Sequence, residues 1–305
     1  MGTRLPYPGE GEWFAVEECG DRESWLAARR RGIGGSDAPV LWREEIERAG
    51  GSVRGSPLSL YHEKRGLVPD EEETEAMEIG TAMEPAIVGL YQKRTGATCV
   101  YPGPFAILRS LRWPWMFVSP DRLIPEPPWE PGGLEAKWRA WEGWEEAPPL
   151  DVQLQVQHAM AVTGYQWWDV AGIVRGRFLW VTVEQSEEWI AQHVEVSREF
   201  CDRVERAEAP PPDEHPATSR VLRRLFPDDD GGTVELGESG ETWVNVWTDA
   251  RVRIKEAEKH REIAENHLRA RFGSNTYAQT PAGRVLRLAV ERKSGARVLR
   301  EVKRR

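Results

Sequence analysis

Residues 115–138 read WMFVSPDRLIPEPPWEPGGLEAKW, and their reading decides the fold. The apolar run Trp115 to Val118 ends in Ser119-Pro-Asp121. After a Pro-rich connection, Leu134-Glu-Ala-Lys137 resumes an alternating pattern. A period of two belongs to a strand, and it sends Glu135 and Lys137 to one face and Leu134 and Ala136 to the other. If the two strands pair, Asp121, Glu135 and Lys137 converge at one point, where unmatched charges are costly to bury. A divalent cation resolves the conflict, because Mg²⁺ prefers one or two carboxylates, a backbone carbonyl and several waters, with phosphate oxygens filling the rest. Such an ion acidifies a bound water and stabilises a leaving alkoxide. Lys137 beside it would orient that water or neutralise the phosphate. Read singly, Asp121 and Glu135 also suit a turn and an edge strand, and Lys137 a surface cation.

Two helical patterns add polar groups on apolar faces. Glu84 stands at helical spacing before Ile87, Val88 and Tyr91, so its carboxylate lies on the dry face and needs a buried partner. Gln155 shares a face with Val152, Ala159 and Val162, which points an amide inward, where it would hold a water or a phosphate. Gln157 has the less apolar neighbours Gln153 and Ala161. His158, beside these glutamines, reads as structural, and the six histidines do not cluster at ligand spacings.

Around these patterns the chain alternates helices and strands. Residues 21–31 read as a helix leading into the turn Gly32-Ile-Gly-Gly-Ser-Asp37, where Ser36 or Asp37 would cap a second helix. Leu58 to Arg65 is helical, and the carboxylate run Asp70 to Glu78 starts a helix in which Pro85 marks a first turn or a kink. Phe105 to Leu108, Trp115 to Val118 and Leu134 to Trp138 read as strands of a hairpin or meander. Asp151 to Gly164 is helical. Trp168 to Val174 and Phe178 to Val183 are strands joined at Arg175-Gly176, and Ser186 to Ala207 is an amphipathic helix. This order makes residues 1–210 an α/β domain. Residues 211–240, rich in Pro, Asp and Gly, read as a linker or surface excursion. In residues 241–305, a charged helix, Glu241 to Phe272, precedes two or three short strands with turns near Pro281 to Gly283 and Ser294-Gly295.

With 305 residues, 40% hydrophobic and 30% charged, the chain can build a sizeable core, which excludes disorder and a small disulfide scaffold. Its apolar runs are far shorter than a membrane span needs, and no secretory signal is read near the N-terminus. Cys19, Cys99 and Cys201 fit no metal-ligand spacing and suit a reducing cytoplasm. No Walker motif or dinucleotide fingerprint is present. The net charge of -9 conceals an asymmetry: residues 251–305 hold 16 Lys and Arg against 6 Asp and Glu. That basic appendage on an acidic body would contact DNA backbone or an acidic protein surface, or be an ordinary solvated helix and hairpin. The 15 tryptophans read as core filler before base-stacking platforms.

Taken in order, RRRGIGGSD (Arg29 to Asp37), GTAMEP (Gly80 to Pro85), SPD (Ser119 to Asp121), LEAK (Leu134 to Lys137) and QVQHAMAVTG (Gln155 to Gly164) resemble the YqaJ-type viral recombinases. These are the lambda-exonuclease-like branch of the PD-(D/E)xK nucleases, and the resemblance covers about residues 20–210. It implies a restriction-endonuclease-like α/β (α+β) core, a central mixed sheet flanked by helices, to which the C-terminal helix and short strands are an extension. It also implies that Asp121, Glu135 and the Ala136 carbonyl bind Mg²⁺ (Mn²⁺ substituting), that Lys137 is catalytic, that Glu84 assists at a second ion or its water, and that Gln155 is the family's active-site glutamine.

The same resemblance gives Gly34-Gly35-Ser36, with Arg29 upstream and the Ser119 hydroxyl, a role in holding a 5′-terminal phosphate. Physically, glycines let backbone approach an anion, N–H groups at a helix start face it, and Arg adds a forked donor. GGSD also reads as a plain helix-start turn. The implied activity is 5′ to 3′ degradation of double-stranded DNA ends in a bacterial host's cytoplasm, leaving 3′ overhangs for a single-strand annealing protein, with some relatives forming ring-shaped trimers. An endonuclease or end-trimming enzyme of the same fold, or a DNA-binding assembly protein without turnover, are the rival expectations.

Overall fold

A computed structural model describes residues 7–69, 74–125, 130–139, 144, 147–291 and 295–302. The start of the carboxylate run at Asp70 and the turn residue Ser294 lie outside the described residues. The chain divides into two compact units, Met1–Asp228 and Asp229–Arg305.

The first unit runs β1 (Phe14–Glu18), α1 (Arg22–Arg30), α2 (Ala38–Leu41), α3 (Arg43–Arg48), α4 (Pro57–Lys64), α5 (Glu75–Thr95), β2 (Ala106–Ser110), β3 (Phe117–Val118), β4 (Arg122–Ile124) and β5 (Gly132–Arg139). It continues through α6 (Leu150–Thr163), β6 (Trp167–Val174), β7 (Arg177–Glu184), α7 (Glu187–Glu205) and α8 (Pro216–Leu225). Helix starts follow local chemistry. Asp21 caps α1 by accepting the Ser24 N–H at 2.8 Å, and Thr74 caps α5. Because α5 starts at Glu75, Pro85 lies in its interior instead of its first turn.

Two sheets form. β1, β2 and β3 make an antiparallel sheet, and β4-β5-β6-β7 a mixed one in which β5 and β6 are parallel. Parallel neighbours need a crossover, and α6 supplies it. The β6–β7 hairpin turns at Arg175 and Gly176, both with positive φ, as a two-residue turn between right-twisted strands requires. The expected meander is therefore corrected: Phe105 to Leu108 and Trp115 to Val118 share one sheet, whereas Leu134 to Trp138 belongs to the other. Pro120 has no N–H to extend a ladder, and the chain leaves β3 there to begin β4 in the second sheet.

The mixed sheet is covered on both faces. Leu134 and Ala171 pack with Ile87, Val88 and Tyr91 of α5. Leu123 and Val170 pack with Val152, Val156 and Ala159 of α6. α6 also touches β2 and β3, so it is enclosed between the two sheets. The expected central mixed sheet flanked by helices is thus present. Trp168 is fully buried in it. The Pro- and Asp-rich stretch after α7 holds the helix α8, which the sequence reading lacked. Ala217, Thr218 and Val221 of α8 are buried, and Thr218 donates to Ser56 at 2.8 Å, where α4 begins.

In the second unit, α9 (Gly237–Phe272) precedes the antiparallel strands β8 (Tyr277–Gln279), β9 (Val285–Val290) and β10 (Arg297–Val302). Phe272 and Leu288 are buried within it, and Arg269 donates to the Arg297 carbonyl at 2.6 Å. Trp243 and Trp247 of α9 are exposed. Among the described residues no helix is long and apolar enough to cross a membrane.

Candidate active site

The register of β4 against β5 sets Arg122 opposite Leu134, which brings Asp121, one residue before β4, beside Glu135. The Asp121 carboxylate accepts the Ala136 N–H at 2.7 Å and so is fixed to β5 by the backbone itself. Strand alternation points Glu135 and Lys137 toward α6. There Lys137 Nζ lies 2.6 Å from the Glu135 carboxylate and donates to Gln155 Oε1 at 3.0 Å, while Gln155 Nε2 donates to Glu135 at 2.7 Å. The three side chains form a closed ring, and Glu135 is only 7% exposed. Burial, and then the charge of Glu135, push the Asp121 carboxyl well above the usual carboxylate range, against the pull of Lys137.

Glu84 also reaches this corner of the molecule. It lies close enough to raise Asp121 further, but its carboxylate is engaged by Arg122 Nη1 at 2.6 Å. Arg122 also donates to the Asp121 carbonyl and stacks 4.5 Å from the Tyr101 ring centroid. The partner required by a carboxylate on the apolar face of α5 is thus an arginine adjoining the SPD motif, and the sequence reading did not identify it.

The glycine turn is stitched to β3. Ile33 N–H donates to the Trp115 carbonyl at 2.7 Å, and Phe117 N–H donates to the Ile33 carbonyl at 2.9 Å. A Cβ on Gly32 would stand 2.2 Å from the Trp115 oxygen, so only glycine permits this approach. Gly35 backs onto Gln155, whose Cγ is 3.4 Å from where a Cβ would be. Arg29 donates to the exposed Ser36 hydroxyl at 3.0 Å and lies 4.6 Å over the Trp25 ring. Ser119 Oγ is buried with no hydrogen-bond partner among the described residues, a vacancy that an anion or water would satisfy.

Sequence reasoning missed Lys64. Its ammonium is buried, 2.6 Å from Asp37, and donates to the Arg29 carbonyl at 3.1 Å; Asp37 also accepts the Gly34 N–H at 2.8 Å. Burial opposes ionisation of Asp37, but Lys64 and Arg29 outweigh it and hold the carboxyl below its ordinary range. The available signal was a lysine in helical phase with Leu60 and Tyr61. The neighbouring polar residues of α6 are structural: Gln157 links the Glu184 carbonyl to the Ser186 N–H, and His158 bridges His193 and the Phe117 carbonyl.

The charge of Glu135 raises the cost of ionising Asp121, and two carboxylates plus the Ala136 carbonyl suit a hard divalent cation. Among the described residues no group of three or more His, Cys, Asp or Glu side chains is placed to hold a metal ion.

Several known proteins resemble this chain. The family model described as "YqaJ-like viral recombinase domain" matches residues 24–166. Residues 24–166 are thus similar to that domain. The uncharacterized protein YqaJ of Bacillus subtilis (strain 168) is 26% identical over 260 residues, 81% of this chain and 77% of that protein. Among solved structures, an alkaline exonuclease from Laribacter hongkongensis is 19% identical, with a TM-score of 0.47, covering 67% of this chain and 98% of that one. The same enzyme in complex with dAMP is 20% identical, with a TM-score of 0.48, covering 66% and 96%. The matched YqaJ-like segment contains Arg29, the glycine turn, Glu84, Asp121, Glu135, Lys137 and Gln155, and stops before α7 and α8.

Proposed function

We propose that this protein is a Mg²⁺-dependent 5′ to 3′ exonuclease of double-stranded DNA ends, leaving 3′ single strands for an annealing protein. The observation that carries the reading is the ring of Glu135, Lys137 and Gln155 beside Asp121, with the glycine turn backed directly onto Gln155. A hydrolytic cluster thereby adjoins a candidate phosphate pocket. The similarity of residues 24–166 to the YqaJ-like viral recombinase domain adds to it.

Asp121, Glu135 and the Ala136 carbonyl would hold the cation, which supplies Lewis acidity at the scissile phosphate. Lys137 donates toward the incoming water or a phosphate oxygen, and Gln155 keeps Lys137 and Glu135 in their relative positions. Arg29, Ser36 and the orphaned Ser119 hydroxyl would receive the terminal 5′-phosphate. Glu84, held by Arg122, acts on the charge of Asp121 from outside the ligand set.

The test is digestion of linear duplexes with 5′-phosphate, 5′-hydroxyl or hairpin ends, with Mg²⁺ and with EDTA. Mononucleotides released from the 5′-phosphorylated strand in Mg²⁺ alone are expected. Internal cuts in hairpin-capped duplexes would replace the reading by an endonuclease, and folded protein with no cleavage by a DNA-binding protein.

A further inference from the structure

A cleft of about 410 Å³ has Ser36 of the glycine turn in its lining, but not Gln155. Arg29 and Ser36 belong to its lining. Arg22, Arg54, Arg220 and Arg224 continue its lining, with Trp25 and Val221 as apolar surface. Asp37 in this wall is matched by Lys64, so Glu63 faces five guanidinium groups among the described lining residues. Arg22, Arg54, Arg220 and Arg224 are exposed, and none has a carboxylate within ion-pair distance among the described residues. Arg220 and Arg224 stand one turn apart on α8, beside the buried Ala217 and Val221. Their helix is pinned in place: Thr218 donates to Ser56, and the His215 ring contacts the Val53 carbonyl at 3.2 Å.

A terminal phosphate carries at most two negative charges, which Arg29, Ser36 and nearby N–H groups can answer. Four further guanidinium groups exceed that need and suit additional phosphodiesters. Geometry selects which. The scissile bond belongs at Asp121 and Glu135, and the strand's next phosphate toward its 5′ end belongs at Arg29 and Ser36. Phosphates farther along the same cleft are therefore farther 5′. We infer that the cleft bounded by α8 binds a single-stranded 5′ extension, so that overhanging 5′ ends are held as well as blunt ones. The inference rests on the proposed exonuclease reading for the direction of the strand. Aromatic and apolar groups in a basic groove are the usual means of holding single strands without sequence preference.

The experiment compares wild type with Arg220→Gln/Arg224→Gln and Arg220→Glu/Arg224→Glu. Each meets duplexes with a 5′-phosphorylated blunt end or a single-stranded 5′ extension of roughly six nucleotides, within the span of one such groove. Equilibrium binding is measured in EDTA across a salt series, and steady-state cleavage in Mg²⁺. The expected result is a roughly tenfold fall in the ratio of extension to blunt affinity, with a log–log salt slope lower by about 1.4 for two lost single-strand contacts. Thermal melting identifies any variant that fails to fold, and the glutamine pair retains the length of the side chains.

An unchanged ratio, or equal losses on both ends, would overturn the inference. Failure of wild type to cleave any end would instead reject the exonuclease reading, while the EDTA binding ratio would still report on the cleft.

Discussion

Protonation of His158 should destabilise the fold as pH drops below neutrality, and the hydrogen-bond chain around it fixes the direction. Trp42 Nε1 donates to His193 Nδ1 at 3.0 Å, so the neutral His193 carries its proton on Nε2. That proton is directed at His158 Nδ1, 2.8 Å away, which leaves the His158 proton on Nε2 facing the Phe117 carbonyl at 2.9 Å. All contacts are satisfied with both rings uncharged, and a further proton on either would set two donors against each other. Burial pushes His158 down to about 4 and lowers His193 as well. An unfolded histidine titrates near 6.5. Between these values the unfolded chain binds more protons, so stability falls as pH falls.

For His158 alone the loss is about 2 kcal/mol at pH 5 and about 3 kcal/mol below pH 4, from ~1.4 kcal/mol per pH unit. The assay is urea denaturation of wild type and His158→Gln at pH 7 and pH 5, followed by tryptophan fluorescence. The glutamine should cost roughly 1–3 kcal/mol at pH 7 through its poorer hydrogen bonds. It should also lose less stability on acidification, by about 2 kcal/mol. Asp121, whose raised pKa acts in the opposite sense, is common to both proteins and cancels in the difference. Equal losses in the two proteins would refute the argument.

The remaining predictions concern the site. Asp121→Ala, Glu135→Ala and Lys137→Ala should each lower cleavage by at least ~10²-fold in folded protein, so near wild-type rates in a folded Glu135→Ala would remove the metal and lysine assignments. Gln155→Ala should reduce turnover more than DNA affinity, because the amide positions two groups of the ring; comparing single-turnover rate with binding in EDTA checks this. Glu84→Gln should release Arg122 and change the Mg²⁺ dependence of the rate, and an unchanged titration would make the pair purely structural. Arg29→Ala and Ser36→Ala should erase the preference for 5′-phosphorylated over 5′-hydroxyl ends, whereas equal losses on both would assign these residues to general DNA binding or to the fold.

What the sequence revealed follows the range of each signal. Alternation in LEAK put Glu135 and Lys137 on one face, and helical spacing put Gln155 on the inner face of α6, because both patterns are local. The partners are not local. Arg122 answers Glu84, and Lys64 answers Asp37, across elements that adjoin only after folding. The same limit produced the meander: a strand's residues show that it is a strand, but not which strand it pairs with, and Pro120 diverts the chain between sheets. β1 escaped notice because only Phe14 of its five residues is buried, leaving no clear alternation. In α8, flanking Pro and Asp residues concealed a short amphipathic helix.

The enclosure of α6 between two sheets has a consequence for how the site endures. A helix with ten of its fourteen residues buried cannot open without separating both sheets, so its central amide hydrogens should exchange with solvent only when the first unit unfolds globally. Gln155 thus sits on backbone that remains ordered through the local fluctuations that open loops and exposed helix ends. The ring it closes with Glu135 and Lys137 is consequently preformed before any DNA arrives, and little ordering entropy is left to be lost when a phosphate binds there.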